Sequence, residues 1–234
     1  MILKPPRIVL GAVALSAMLT LTLASEAFAL AGNVMHEAPY AERGVAAENW
    51  VYPWVSTSPD GEHVSSIYAH HQDCNLVEGD GIYDWVNHNY VHAEAGLWKG
   101  YGRATEAFWQ YNKTPWGLVD WAQGVYTTLP SHGYYVYFEI NNVYMQDGGS
   151  DYWRMACAGN VMQTALLPMT HARSLISSER LRPGDDMRSQ FRNLKVKRNT
   201  GVWGPWVNCR WMARGVGDWS WKDYNSAHWY SYQL

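Results

Sequence analysis

An all-β fold, a single domain built as an antiparallel two-sheet β-sandwich, is predicted for residues 30–234 on three observations. Short runs rich in Tyr, Trp, Val and Phe are broken by the turn clusters Pro59-Asp60-Gly61, Gly79-Asp80-Gly81, Asp147-Gly148-Gly149 and Pro183-Gly184-Asp185. No segment beyond residue 29 carries a long apolar stripe at helical spacing, so helix is a minor component. No Ser- or Pro-rich linker divides the region, whose length a single sandwich or barrel commonly reaches. Strands of this kind bury one face of each sheet against the other.

Taken in order, the chain opens on Lys4 and Arg7, an apolar run from Ile8 to Leu23, and Ala27-Phe28-Ala29. This is the layout of a secretory signal peptide over residues 1–29, and the run is short for a membrane span. The mature part is expected to be extracellular, with no membrane contact after cleavage. It is mildly acidic, and the whole chain has 18 Lys and Arg against 21 Asp and Glu. That balance excludes a basic nucleic-acid binder. With 14 Trp, 16 Tyr and only 17 % charged residues, the chain is not disordered, and no heptad stripe supports a coiled coil. Cys74, Cys157 and Cys209 allow one disulfide and one remaining thiol in an oxidising compartment, and their spacing does not choose the pair.

The clearest predicted strands are Tyr90–Trp98, Ala107–Tyr111, Tyr134–Asn141, Tyr152–Ala158, Leu175–Leu181, Phe191–Lys197 and Val202–Trp211. The aromatic tail from Trp219 to Tyr232 is expected to supply closing strands. The stretch up to Pro59 carries no clear signal. Successive side chains of a strand alternate between faces. In the first of these strands, Val91, Ala93, Ala95 and Leu97 form a core face, while Tyr90, His92, Glu94 and Trp98 form the other. In Tyr134–Ile140, Val136, Phe138 and Ile140 face the core, and Tyr135, Tyr137 and Glu139 face away. Parity places Glu179 with Leu175, Ser177 and Leu181, a mixed face where partial burial would raise a carboxyl pKa.

An acid and an imidazole among aromatic rings suit a groove for an extended polymer. The candidate lining residues are His92, Trp98, Trp109, Tyr111, Tyr135, Tyr137 and Glu139. Ordinary solvent-side residues of a sandwich would look the same in sequence. His70, His71, Asp73 and Cys74 cluster, and His88 and His92 share parity with Glu94, but no zinc spacing results, and no metal or cofactor is expected. Asp and Gly at Glu78–Asp84 and Asp147–Asp151 serve turns for backbone reasons, although calcium would use the same residues. No Gly-x-Ser-x-Gly elbow occurs, and Ser131-His132-Gly133 reads as a turn. The basic stretch Arg188–Arg198 is interrupted by Phe191, Leu194 and Val196, and reads as one solvated strand face.

The order of Ala93-Glu94-Ala95-Gly96, Glu106-Ala107-Phe108-Trp109-Gln110-Tyr111 and Ser178-Glu179-Arg180-Leu181, followed by Gly184-Asp185 and Phe191, resembles the glutamic peptidases. Those are secreted, acid-acting enzymes on a concanavalin-like jelly-roll sandwich. The resemblance spans about residues 90–200. It implies that Glu94 and Glu179 are the catalytic pair, at the family's separation between a Gln-Ala-Gly-like and an Ala-Glu-Trp-Ile-like strand. Glu94 stands where that family has Gln, and a pair of glutamates is what neprosin-type relatives use. Arg180 replaces the usual aromatic, and in a regular strand its side chain points to the face opposite Glu179.

The implied activity is acid endoproteolysis, with one carboxylate activating water and a donor stabilising the oxyanion. The substrate would be a polypeptide and the protein a monomer. A non-catalytic extracellular binder of carbohydrate or another polymer accounts for the same aromatic and acidic residues. A glycosidase would also use two carboxylates, Glu94 with Glu179 or Glu139, but none of the familiar glycosidase motifs occurs.

Overall fold

The computed structural model describes residues 32–37, 43–70, 91–113, 121–130, 132–145, 149–180, 182, 184–206, 210–214, 219–225 and 228–233. The expected signal peptide, Cys74, Cys209 and Tyr90 lie outside these residues, as do His71, Asp73, the turn Gly79-Asp80-Gly81 and His88. Among the described residues there are fifteen strands and no helix.

In chain order the strands are β1 (Gly32–Glu37), β2 (Gly44–Val51), β3 (Glu62–His70), β4 (His92–Gly100), β5 (Glu106–Asn112) and β6 (Trp121–Thr128). They continue as β7 (Tyr134–Met145), β8 (Asp151–Cys157), β9 (Asn160–Leu167), β10 (Arg173–Arg180) and β11 (Gln190–Lys197). The last four are β12 (Trp203–Pro205), β13 (Arg210–Arg214), β14 (Trp219–Asn225) and β15 (His228–Gln233). One antiparallel sheet runs β13-β1-β10-β3-β4-β5-β6, and the other β14-β15-β11-β2-β7-β8-β9, with β12 on β11. The architecture is the expected single-domain sandwich.

Parity in β4 falls as the alternation requires, with Ala93, Ala95 and Leu97 inside. Their partners on β3 are Ala69, Ile67 and Ser65, so the same rows continue across the sheet. From the opposite sheet Val45, Ala47, Val136, Phe138, Ile140, Trp153 and Met155 close on this layer. Each large apolar side chain removed from water in this way contributes about 1.5–3 kcal/mol before the entropy of ordering is counted. The buried Trp153 satisfies its indole by donating from Nε1 to the Met169 carbonyl at 2.9 Å.

A polar tie crosses the core. Asn49 of β2 donates from Nδ2 to the Ser65 carbonyl at 2.7 Å, and Ser65 Oγ donates to Asn49 Oδ1 at 3.0 Å, both residues being buried. The pair locks β2 of one sheet against β3 of the other. Asn49→Ala is expected to lower stability by about 1–3 kcal/mol, because it strands buried partners on Ser65. Urea unfolding of the variant beside the unmodified chain measures this.

The turn Pro59-Asp60-Gly61 and the second turn cluster, of which Gly184 and Asp185 are described, meet at one carboxylate. Asp185 is fully buried and accepts from Ser58 N at 2.6 Å, Ser58 Oγ at 2.7 Å, Arg182 N at 3.0 Å and Glu62 N at 3.1 Å. A Cβ on Gly61 would sit 2.3 Å from Asp185 Oδ1, so only glycine lets the carboxylate approach. The start of β3 and the end of β10 are held together by this clamp.

The expectation of one strand over Val202–Trp211 is corrected. Pro205 has no N–H to continue a ladder. Trp206 is fully buried, and the chain passes from β12 on one sheet to β13 on the other. β1 and β2 fall in the stretch up to Pro59 that carries no clear signal, and β3, β6 and β9 lie outside the predicted strands. β3 and β2 carry polar Ser65 and Asn49 on their inward faces, which breaks the alternation of apolar residues. β11 bears a bulge between Arg192 and Lys195, and Asn193 there takes a positive φ of 53°.

Candidate active site

The outward face of the β13-β1-β10-β3-β4-β5-β6 sheet gathers the titratable residues. In register, Leu175 of β10 stands opposite Tyr68 of β3, which stands opposite Glu94 of β4, which stands opposite Gln110 of β5. Two residues along, Ser177, Ser66, Gly96 and Phe108 form the next row. Glu179 follows with Val64 and Trp98. Glu94 and Glu179 therefore share one face, with β3 between their strands.

Tyr68 joins them. Its hydroxyl donates to Glu179 Oε1 at 2.7 Å, and Ser177 Oγ donates to the same oxygen at 2.5 Å. Glu94 accepts from Gln110 Nε2 on Oε2. Among the described residues no donor is within hydrogen-bonding geometry of Glu94 Oε1. Burial pushes the Glu94 carboxyl well above the ordinary range, the negative charge of Glu179 adds to this, and the nearby hydroxyls of Tyr68 and Ser66 offset part of it. Burial, followed by the charges of Glu179 and Glu94, also drives the Tyr68 phenol well above its usual pKa, so it remains a donor. The arrangement can hold one proton between two carboxyl groups, as close like charges require.

Gly96 lets β3 come this close. A Cβ there would stand 2.3 Å from the Ser65 carbonyl and 2.5 Å from Ser66 Cα, both main chain. Gly96→Ala is expected to cost about 1–3 kcal/mol by forcing β3 and β4 apart. A thermal melt measures the loss.

The structure separates the other expected site residues. His92 and Trp98 lie on the face of Glu94, with the His92 ring 6.2 Å from that of Tyr68. Trp109 and Tyr111 do not line this face. They stand opposite Ala95 and Ala93 on the inward side of β5, pack against the core and stack on each other at 5.9 Å. Tyr135, Tyr137 and Glu139 point outward as their parity requires, but from β7, on the far side of the sandwich. Glu139 there pairs with Arg154 at 3.1 Å and accepts from Tyr137 Oη and Asn141 Nδ2, both at 3.0 Å. It is a structural ion pair, out of reach of Glu94, and the expectation of one groove lined by all these residues is corrected to two opposite surfaces.

A second correction concerns exposure. Glu94 is 0 % and Glu179 6 % exposed, so the pair is covered and not displayed in an open groove. Arg180 points inward, opposite Glu179, and is buried with one guanidinium N–H 3.5 Å from the Asp185 carbonyl. Tyr68, Ser66, Gln110 and Ser177 complete the site but were not singled out by sequence. Gln110 and Ser177 were legible in principle from their place within predicted strands, whereas nothing marked β3. Cys157 is a free, buried thiol at the edge of the core, pushed up to about 11 by burial. Among the described residues no three His, Cys, Asp or Glu side chains gather as a metal site.

No protein-family model and no curated protein matches this chain. Its backbone is similar to solved structures of the glutamic peptidases. A scytalidoglutamic peptidase with a transition-state analogue inhibitor superposes with a TM-score of 0.55 at 7 % identity, covering 87 % of this chain and 98 % of that one. The same peptidase with a peptide-based transition-state analogue gives 0.53 at 8 % identity with the same coverage. SCP-B, a member of the eqolisin family in complex with the tripeptide Ala-Ile-His, gives 0.51 at 8 % identity, again covering 87 % and 98 %. The chain thus has the concanavalin-like sandwich of that fold family.

Proposed function

We propose that this protein is a secreted acid endopeptidase in which Glu179 activates water and protonated Glu94 stabilises the oxyanion. The observation that supports it is the placement of both carboxyl groups on one sheet face, linked through Tyr68, with Glu94 biased toward its protonated form. Glu179, ionised, takes a proton from water as the water oxygen bonds to the peptide carbonyl carbon. The carbonyl oxygen gains the negative charge and accepts a hydrogen bond from the Glu94 carboxyl. Glu179 then passes its proton to the amide nitrogen, the C–N bond breaks, and the products are a carboxylic acid and an amine. The substrate is an extended polypeptide, and the enzyme acts as a monomer outside the cell without a cofactor.

The burial of Glu94 and Glu179 favours a second reading, a non-catalytic relative that binds an extracellular polymer and keeps the pair as a structural element. Incubation of the purified mature chain with a denatured protein between about pH 2 and pH 7 separates the two, since carboxyl pairs titrate in that range. Cleavage confined to acid supports the peptidase. Its absence at every pH from folded protein supports the binder.

A further inference from the structure

The two carboxyl groups are surrounded unequally. Glu179 Oε1 takes two hydroxyl donors, from Tyr68 at 2.7 Å and Ser177 at 2.5 Å. Glu94 takes a neutral amide from Gln110, and the hydroxyls of Tyr68 and Ser66 lie near it and ease its ionisation in part, but none reaches hydrogen-bonding geometry with its Oε1 among the described residues. Hydrogen bonds donated to a carboxylate stabilise the ionised form, each by more than a bond between neutral groups. Tyr68 and Ser177 are themselves fixed. Tyr68 is 1 % exposed on the central strand β3, and Ser177 is 0 % exposed, two residues before Glu179 on β10.

We propose that Tyr68 is a positioning residue which, with Ser177, makes Glu179 the ionised member of the pair and leaves the shared proton on Glu94. This rests on the peptidase reading for its catalytic meaning, but the assignment of the proton holds whether or not the protein cleaves peptides. The register places further charged groups in these rows: Arg214 of β13 lies beyond Asn33 in the row of Glu179, Glu37 of β1 and Arg210 of β13 lie in the row of Tyr68 and Glu94, and Glu62 of β3 lies two residues beyond Val64. His70, His92 and Arg173 lie one row beyond Tyr68 and Glu94, in register with one another across β10, β3 and β4. Glu106 lies opposite Trp98 and pairs with Arg103 at 3.2 Å. In β1, Asn33 stands opposite Glu179, so that neighbour brings no charge to the position. Tyr68 and Ser177 each donate a hydroxyl to Glu179 Oε1. A phenol held well above its ordinary pKa also donates throughout the range in which the carboxyl groups titrate.

The test is a carboxyl titration of the full chain labelled with 13C at Glu Cδ and followed by NMR. Glu94→Gln and Glu179→Gln assign the two resonances. Glu179 is expected to ionise at lower pH than Glu94. Tyr68→Phe removes one hydroxyl and keeps the ring, and is expected to move the Glu179 midpoint upward by about one pH unit. Ser177→Ala is expected to do the same and replaces Tyr68→Phe if that variant does not fold. In the cleavage assay the acid limb of kcat moves with the Glu179 midpoint. An unmoved midpoint in the folded variants, or Glu94 ionising first in the unmodified chain, overturns the assignment. A moved midpoint in a protein that cleaves nothing upholds it and rejects the peptidase reading alone.

Discussion

Glu179→Gln is expected to abolish acid proteolysis, by about 10²–10⁴-fold, the range general-base catalysis contributes. Glu94→Gln is expected to behave differently. Gln donates from its amide at every pH, whereas Glu94 donates only while protonated. The Gln variant should keep cleavage and extend it toward neutral pH, until only the other groups of the protein limit it. Glu94→Ala removes the donor and should lose about 10²–10³-fold, as removal of an oxyanion donor does elsewhere. Initial rates on a denatured protein between about pH 2 and pH 7 check all three. Equal activity in Glu179→Gln and the unmodified chain would remove Glu179 from the chemistry. Equal loss in Glu94→Gln and Glu94→Ala would show that Glu94 acts as more than a hydrogen-bond donor.

The same substitution carries the second large effect, on stability. Glu94 has a carboxyl pKa raised above the ordinary value of about 4.5, first by burial and then by the charge of Glu179. The folded protein therefore holds a proton at pH values where the unfolded chain has released it. Its contribution is fully present below about pH 4.5 and is lost as pH rises through the folded pKa. Each pH unit in that window costs about 1.4 kcal/mol. Gln in place of Glu94 has no proton to lose, so its advantage over the unmodified chain should widen above pH 4.5 and reach at most about 3 kcal/mol at pH 7. At about 2–4 °C per kcal/mol for a chain of this size, the difference is visible in thermal melts.

Two other groups shape the absolute curve. Glu62 is raised by burial and adds a loss in the same direction as Glu94. His63 works the other way. Burial pushes it down to about 4, with Asp186 opposing, so its stability is present above about pH 6.5 and lost as pH falls toward 4. Comparing the unmodified chain with Glu94→Gln at each pH cancels both and isolates the Glu94 and Glu179 pair. A difference that stays constant from pH 4 to pH 7 would mean that Glu94 titrates alike in the folded and unfolded states.

Local pattern was enough for the fold class and for the faces of single strands. The alternation in Ala93–Leu97 and in Val136–Ile140 reports which side chains enter a core, because that choice depends only on neighbours two residues apart. The opposite orientations of Glu179 and Arg180 follow for the same reason, and the structure bears them out. The pairing of Glu94 with Glu179 came from the order of short motifs in a resemblance, since residues this far apart in sequence meet only through β3. Trp109 and Tyr111 turned inward because the pairing of β5 on β4 sets them opposite Ala95 and Ala93. No feature of Glu106–Tyr111 itself fixes that register.

Composition and period-two alternation alone determined an antiparallel sandwich, because strand faces are written in adjacent residues. Which sheet each strand joins was decided only by long-range pairing. That pairing sent Tyr135, Tyr137 and Glu139 to the surface opposite Glu94 and placed an unmarked tyrosine, Tyr68, between the two carboxyl groups. It also buried both acids, and burial is the first cause that raises the Glu94 carboxyl. Such desolvation belongs to the packed layers around a side chain, and so cannot be read from the strand that carries it.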